Sequence, residues 1–247
     1  MQVNIQIQGL DAVRQQLGNQ ARQASYAASR ALNTTAFAIN TRLKTDMAAT
    51  FAGGATAYTL RAFKVDQARK DQLTATVALR TDTAGAALPY AKALGHLFTG
   101  GTRNFKKIEG WLRGRRLLPA NLTIAPGAGM PLDKFGNMRQ AALTEMLGVL
   151  GTQRTNLRVY RRTGRGKLQK AVGYFVALPG DKSGHHPGIY KRIETGSSSA
   201  LSPMVLYVRP TTYRRFIDLD RLGREVVAKT FEPAFDAELA KALASAR

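Results

Sequence analysis

Apolar and polar residues alternate at the start of the chain, where polar positions separate Val3, Ile5 and Ile7. This period of two predicts a half-buried strand. From Asp11, a plausible N-cap, to about Phe51, apolar residues recur at steps near 3.6, which predicts one long amphipathic helix. Its apolar stripe comprises Val13, Leu17, Ala21, Ala28, Leu32, Ala36, Ile39, Leu43 and Met47. A stripe so rich in alanine allows close packing against the protein's own sheet or against a neighbouring subunit.

The next segment alternates between turn residues and short apolar runs. Residues 56–63 predict a helical turn, and residues 63–66 and 73–79 predict two antiparallel strands joined by a turn at 68–71. A helix is expected over residues 88–98, with Pro89 in its first turn and Gly100 and Gly101 at its end.

The C-terminal half predicts a meander between two helices. A helix is expected over residues 138–150, with Asn137 as N-cap. Strands are expected at 172–178, 188–194 and 204–208, separated by turn-rich links at 179–187 and 195–200. A last helix over residues 212–244 should kink near Pro233.

This order of elements favours an α+β fold, in which long N-terminal and C-terminal helices pack on an antiparallel sheet. We expect a single domain over residues 1–247, with extended basic loop insertions at about 100–136 and 152–171.

The amount and distribution of charge say most about the function of the protein. The chain of 247 residues has a formal net charge of +21. The bases concentrate between Gly100 and Lys170, where only Glu109, Asp133 and Glu145 oppose them. Such a field favours an anionic partner, either nucleic acid or an acidic protein. We expect partner contacts at Arg103, Lys106, Lys107, Arg113, Arg115, Arg116, Arg154, Arg158, Arg161, Arg162, Arg165, Lys167 and Lys170.

Aromatic residues are too sparse in this stretch to predict base stacking, and no base-reading motif is present. Trp111, the single tryptophan, is expected to anchor the first basic loop to the body of the protein. Double-stranded DNA, if bound, would be bound non-specifically through its phosphates. No apolar run is long enough to cross a membrane, and the N-terminus does not resemble a signal peptide, so no membrane partner is expected.

Candidate catalytic and metal-binding patterns are weak. The chain has no cysteine, and adjacent His185 and His186 lack a third ligand nearby. Asp218 and Asp220 could serve a metal-dependent nuclease, but positions two apart on a helix do not share a face. Residues 163–167 lack the spacing of a phosphate-binding loop. We therefore expect no metal, no cofactor and no enzymatic activity.

Four segments of the sequence occur in a recognisable order. They are Gly9-Leu-Asp-Ala-Val, Ala31-Leu-Asn33 within a long Ala-rich helix, Thr59-Leu-Arg-Ala-Phe63 before a hairpin, and Val208-Arg-Pro210 before the last helix. Together these segments resemble the minor tail protein Z family of tailed phages and prophages. The resemblance covers about half of the chain and brings no catalytic residues. It implies a structural virion protein at the head–tail junction, assembled in the host cytoplasm. As a tail-completion or neck protein, it would form a homo-oligomeric ring, expected to be hexameric, around the DNA channel and contact neighbouring neck and tail proteins.

Two other functions stay open from the residues alone. One is a non-specific nucleic-acid-binding protein or nuclease of a mobile element. The other is a basic partner of an acidic protein that makes no contact with DNA.

Overall fold

The computed structural model describes residues 2–6, 21–81, 89–152, 160–162, 168–170, 173–182, 184–195 and 198–245. The chain divides into two compact units. Unit 1 comprises residues 1–103 and 212–247, and unit 2 comprises residues 104–211. The predicted α+β class is confirmed, because the sheets are antiparallel and the long helices near both ends of the chain pack together. That residues 1–247 form a single domain stays a prediction, which this division does not test.

Two long helices dominate unit 1. Helix α1 spans Ala21–Thr50 and helix α6 spans Leu219–Ser245. They run antiparallel, since Arg30 lies 3.8 Å from Glu238 while Arg42 interacts electrostatically with Glu225. The stripe predicted for α1 is confirmed from Ala28 to Met47, where its members are fully buried. Its earlier members at positions 13 and 17 lie outside the described residues.

A three-stranded antiparallel sheet completes the core of unit 1. Its strands are β1 (Gln2–Gln6), β2 (Phe63–Asp66) and β3 (Thr74–Leu79), in the order β1–β3–β2. The alternating pattern of β3 buries Ala75, Val77 and Leu79 against α1. The predicted strand pair at 63–79 is therefore confirmed, and β1 extends it at one edge.

A side chain of α1 fastens the turn between β2 and β3. The side-chain oxygen of Asn33, Oδ1, accepts from Ala68 N at 2.7 Å, and the side-chain nitrogen, Nδ2, donates to Ala68 O at 3.0 Å. Before β2, the predicted helical turn is present as α2 (Ala57–Leu60), capped by the Thr56 hydroxyl.

The chain leaves and re-enters unit 1 through two short paired strands. Helix α3 (Tyr90–Thr99) ends as predicted at Gly100, whose φ is 70°. Strand β4 (Gly101–Thr102) then pairs antiparallel with β11 (Thr212–Tyr213). The last helix therefore begins later than predicted, at Leu219 rather than at Thr212. Its first turn is capped by Asp218, which accepts from Arg221 N at 3.1 Å.

Unit 2 contains a four-stranded antiparallel sheet. The predicted meander is confirmed as β8 (Gly173–Ala177), β9 (Gly188–Thr195) and β10 (Ser198–Val208). Strand β5 (Thr123–Pro126) adds to the far side of β10, which gives the order β5–β10–β9–β8. The predicted link at 195–200 is too long, because Ser198 already belongs to β10.

The remaining elements of unit 2 are helices and a hairpin. Helix α5 (Gln140–Thr152) confirms the helix predicted near 138–150, but Asn137 is not its N-cap. The helix begins three residues after Asn137, whose backbone N–H donates to Asp133 Oδ1 at 2.8 Å. Strands β6 (Tyr160–Arg162) and β7 (Leu168–Lys170) pair antiparallel within the segment predicted as a loop insertion at 152–171.

Residues 100–136 are not the irregular loop that we predicted. They contain helix α4 (Lys107–Gly114) as well as β4 and β5. Gly110 and Gly114 suggested a loop, yet both lie at positions where a Cβ would meet no other atom, so they do not mark a tight backbone approach. The spacing of Ile108, Trp111 and Leu112 was the helical signal. Within the described ranges, no helix has the length and apolarity required to cross a membrane.

Candidate anion-binding surface

Helix α4 lies with its apolar face on the core of unit 2. Leu112 is fully buried there, and the half-buried Ile108 and Trp111 pack against the same core. The edge of the Trp111 ring also approaches Gly151 at the end of α5, where an added Cβ would lie 3.4 Å away. Trp111 thus anchors this segment by packing, as expected.

Two charged residues of α4, one helical turn apart, bind the edge strand β5. The buried Glu109 carboxylate accepts from Ile124 N at 3.0 Å and from Lys106 N at 2.7 Å. The Arg113 guanidinium donates to Leu122 O at 2.7 Å. Residues two apart in an extended segment present their backbone groups on the same side, so Glu109 and Arg113 satisfy outward-facing groups of β5 and of Leu122, the residue just before it. Arg113 therefore has a structural role as well as a charge.

The C-terminal end of α4 concentrates positive charge. Arg113, Arg115 and Arg116 lie in or just after its last turn, where cations interact favourably with the helix dipole. The Arg113 guanidinium lies 3.6 Å from the centre of the Phe105 ring, and that of Arg115 lies 3.8 Å from the Trp111 ring. These contacts fix the direction of two of the three guanidinium groups.

Arg116 has a backbone conformation that favours glycine. Its φ is 58°, the only positive value for a described residue other than glycine. Arg116 N donates to Arg113 O and Leu117 N donates to Leu112 O, both at 2.9 Å, which is the pattern of a Schellman motif. A residue with a Cβ at this position costs about 1 kcal/mol relative to glycine. An arginine here is therefore not explained by the backbone.

Arg113 and Arg116 line a cleft of about 640 Å³ in unit 2. Arg209, which follows β10, is the third cation in its wall. The rest of the lining is neutral and comprises Leu118, Pro119, Ala120, Asn121, Leu122, Leu178 and Pro179. No carboxylate of the described residues lines this cleft, and none of them forms an ion pair with Arg116 or Arg209. One Arg113 nitrogen, Nε, is buried without a hydrogen-bond partner among the described groups.

The acids of unit 2 are few, and most have local partners. Residues 104–211 contain eighteen Lys and Arg against five Asp and Glu. Asp133 binds the backbone N–H groups of Phe135 and Asn137, and the bond from Asn137 contributes most to lowering the pKa of Asp133. Glu145 accepts from Tyr174 and from Lys191. These acids therefore leave most of the positive charge of unit 2 uncompensated.

The structure places the predicted contact residues in three groups. Arg113, Arg115 and Arg116 lie together at the end of α4, with Lys106 and Lys107 at its start. Arg103 belongs to unit 1, so it is described apart from them. Arg161, Arg162 and Lys170 are in the β6–β7 hairpin, and their side chains are outside the described atoms. Arg154, Arg158, Arg165 and Lys167 lie outside the described residues altogether.

The alternative candidates for chemistry have structural partners. Asp218 caps α6 and forms an ion pair with Arg215. His186 Nδ1 lies 2.9 Å from Pro187 O, and the His185 ring lies 5.4 Å from that of Tyr190. Burial lowers the pKa of His96, and nearby Arg103 adds to this effect. Across the described ranges, no three His, Asp or Glu side chains are placed to hold a metal ion.

Sequence reasoning missed the part of the cleft that comes from distant positions. Arg209 and the pair Leu178–Pro179 are far from α4 in sequence and lie outside the basic stretch that we identified. The available signal was Val208-Arg-Pro210, in which a proline keeps the residues after β10 out of the sheet.

No family model, curated protein or solved structure matches this chain. The resemblance to the minor tail protein Z family therefore depends only on the sequence segments described above.

Proposed function

We propose that the chain is a structural protein of a phage virion, of the neck or tail-completion type. It would form part of a homo-oligomeric ring, expected to be hexameric, at the head–tail junction around the DNA channel. The observation that carries this proposal is the excess of eighteen Lys and Arg over five Asp and Glu in unit 2, together with the absence of any base-reading motif from the sequence. A protein around a DNA channel has to tolerate passing phosphates without reading bases.

The arrangement of α1 bears on assembly. Its buried alanines already pack within unit 1, so they are not available for the intersubunit contact that the sequence also allowed. Tyr26 and Phe37 are about half exposed and eleven residues apart, which puts them on one face of α1 three turns apart. These aromatic side chains are the better candidates for contact with another subunit.

Deletion of the chain from a phage or prophage that encodes it tests the proposal. We expect electron microscopy to show filled heads and separate tails, with joined particles restored by complementation. A tagged copy should map to the neck. Normal infectious particles without the chain, or a tagged copy absent from particles, would overturn the proposal.

A further inference from the structure

We infer that the cleft between the end of α4 and the segments after β8 and β10 binds an acidic peptide segment with an aliphatic side chain, contributed by a neighbouring protein. The inference deepens the proposed function and rests on it only for the source of that segment. The cleft itself lies within unit 2.

The charge of the cleft selects an anion. Arg113, Arg116 and Arg209 all line it, and none of the lining residues within the described ranges is acidic. Guanidinium groups bind carboxylates through paired, charge-assisted hydrogen bonds, and Arg116 and Arg209 form no ion pair with any described residue. A ligand with carboxylates would satisfy these donors.

The walls of the cleft favour a peptide over nucleic acid. Their apolar part includes Leu118, Pro119, Leu122, Leu178 and Pro179, and no lining residue that the structure describes has an aromatic side chain on which a base could stack. A concave space of about 640 Å³ also suits a short peptide better than the convex surface of a duplex. Leu178 is 40% exposed, which leaves an apolar contact for an incoming aliphatic side chain.

The strained backbone of Arg116 is a second, independent indication. Glycine would end α4 with less strain, yet the chain has a long cation at this position, where its side chain reaches the cleft. Backbone strain of this kind is found at ligand-binding sites, where contacts with the ligand compensate for it. Arg116→Gly should therefore make unit 2 more stable while weakening binding.

The test measures binding of the isolated chain to capped fluorescent peptides by anisotropy. The probe is Glu-Glu-Leu-Glu-Glu, and the comparison peptides are Glu-Glu-Gly-Glu-Glu and Gln-Gln-Leu-Gln-Gln. We expect the probe to bind most tightly. Arg209→Glu should weaken its binding about tenfold or more, the size expected for loss of a charge-assisted hydrogen bond. Lys134→Glu, the same charge change in unit 2 outside the cleft, should change binding less than about twofold, since it removes only screened long-range attraction.

Leu178→Ser separates the apolar contact from the charge. It should weaken binding of the leucine peptide several-fold and leave the glycine peptide unchanged, because only the leucine reaches that wall. Circular dichroism of each variant checks that the fold is retained, and Arg209→Gln replaces Arg209→Glu if the latter does not fold.

Three outcomes would overturn the inference. They are no binding of the probe at low salt, equal losses from Arg209→Glu and Lys134→Glu, and equal affinity for the leucine and glycine peptides. Stronger binding of duplex DNA that Arg209→Glu abolishes would assign the cleft to nucleic acid instead. Because these measurements use the isolated chain, their failure leaves the deletion experiment in phage unaffected.

Discussion

Gly188 shows how closely two strands approach in unit 2. A Cβ at this position would collide with the backbone oxygen of Val205, beside the irregularity in the pairing of β9 with β10. The collision involves backbone atoms that cannot move away without breaking the pairing. Glycine is therefore required here by space.

Gly188→Ala should lower the free energy of unfolding of unit 2 by about 3 kcal/mol, within the range for overpacking. The matched substitution Gly148→Ala, in α5, meets no atom and should stabilise by about 1 kcal/mol, since alanine favours helix. Urea unfolding followed by the fluorescence of Trp111 measures both. Equal effects of the two substitutions would contradict this account.

Asp218 links the stability of unit 1 to pH. The hydrogen bond from Arg221 N, with the charge of Arg215, lowers the pKa of Asp218 below its ordinary 3.8. A lowered folded-state pKa stabilises the fold above that ordinary value, and the stabilisation is lost as the pH falls through the folded-state pKa.

Asp218→Asn should therefore be less stable than the unmodified chain at neutral pH, and the difference should shrink in strong acid. Thermal unfolding followed by circular dichroism, at neutral pH and in strong acid, measures this stability difference. Asp220→Asn removes a charge from the same turn but leaves the Asp218 carboxylate with its partners. If its stability difference has the same pH dependence, the charge of Asp218 does not explain the effect.

At the scale of elements, α4 is where the sequence was least informative. The pattern of Ile108, Trp111 and Leu112 is helical, but it spans barely one turn and has two glycines within or beside it. Tertiary contacts stabilise this helix, because Glu109 and Arg113 bind backbone groups of Ile124 and Leu122, which come later in the chain. Long periodic segments such as α1, in contrast, were predictable because one buried face repeats over many turns.

The covering of β5 by α4 gives a prediction at this scale. Glu109→Ala leaves the buried Ile124 N–H without an acceptor and should lower the free energy of unfolding by about 3 kcal/mol. Asp181→Ala, at an exposed acid of the same unit, should change it by less than about 0.5 kcal/mol. Urea unfolding monitored through Trp111 compares them. A small effect of Glu109→Ala would mean that β5 does not depend on α4.

The structure also gives a physical role to residues of the segments that resemble the minor tail protein Z family. Ala31 and Leu32 are fully buried, and Asn33 holds the β2–β3 turn. Such roles are structural, so they explain why these residues form a pattern without identifying what the protein binds. The cleft, by comparison, combines residues from three distant segments, which no local pattern could have predicted.

At the scale of the molecule, the positive charge makes a prediction about DNA. If the bases of the basic segment predicted at 152–171 bind phosphates, reversing Arg161, Arg162 and Arg165 to Glu should flatten the dependence of duplex affinity on salt. The slope of log K against log salt should fall by roughly one for each phosphate that the variant no longer binds. Filter binding over a range of salt concentrations measures it.

A control triple variant reverses Lys44, Lys70 and Lys229 in unit 1, which changes the net charge equally. An unchanged slope in the variant of Arg161, Arg162 and Arg165, or the same change in both variants, would rule out the segment 152–171 as the DNA-binding element. It would also favour the acidic protein as the partner of this basic surface.

The pairing of β4 with β11 has a consequence for how such a protein can evolve. The backbone departs from unit 1 and returns to it on adjacent strands, so all of unit 2 occupies what is topologically one hairpin connection. The entropic cost of closing a connection rises only slowly with its length. Recombination could therefore exchange unit 2 for another sequence, or for a short linker, while the scaffold of α1 and α6 stays the same. Adaptation to a new neighbouring protein would then require replacement of unit 2 alone, while the fold of unit 1 is kept.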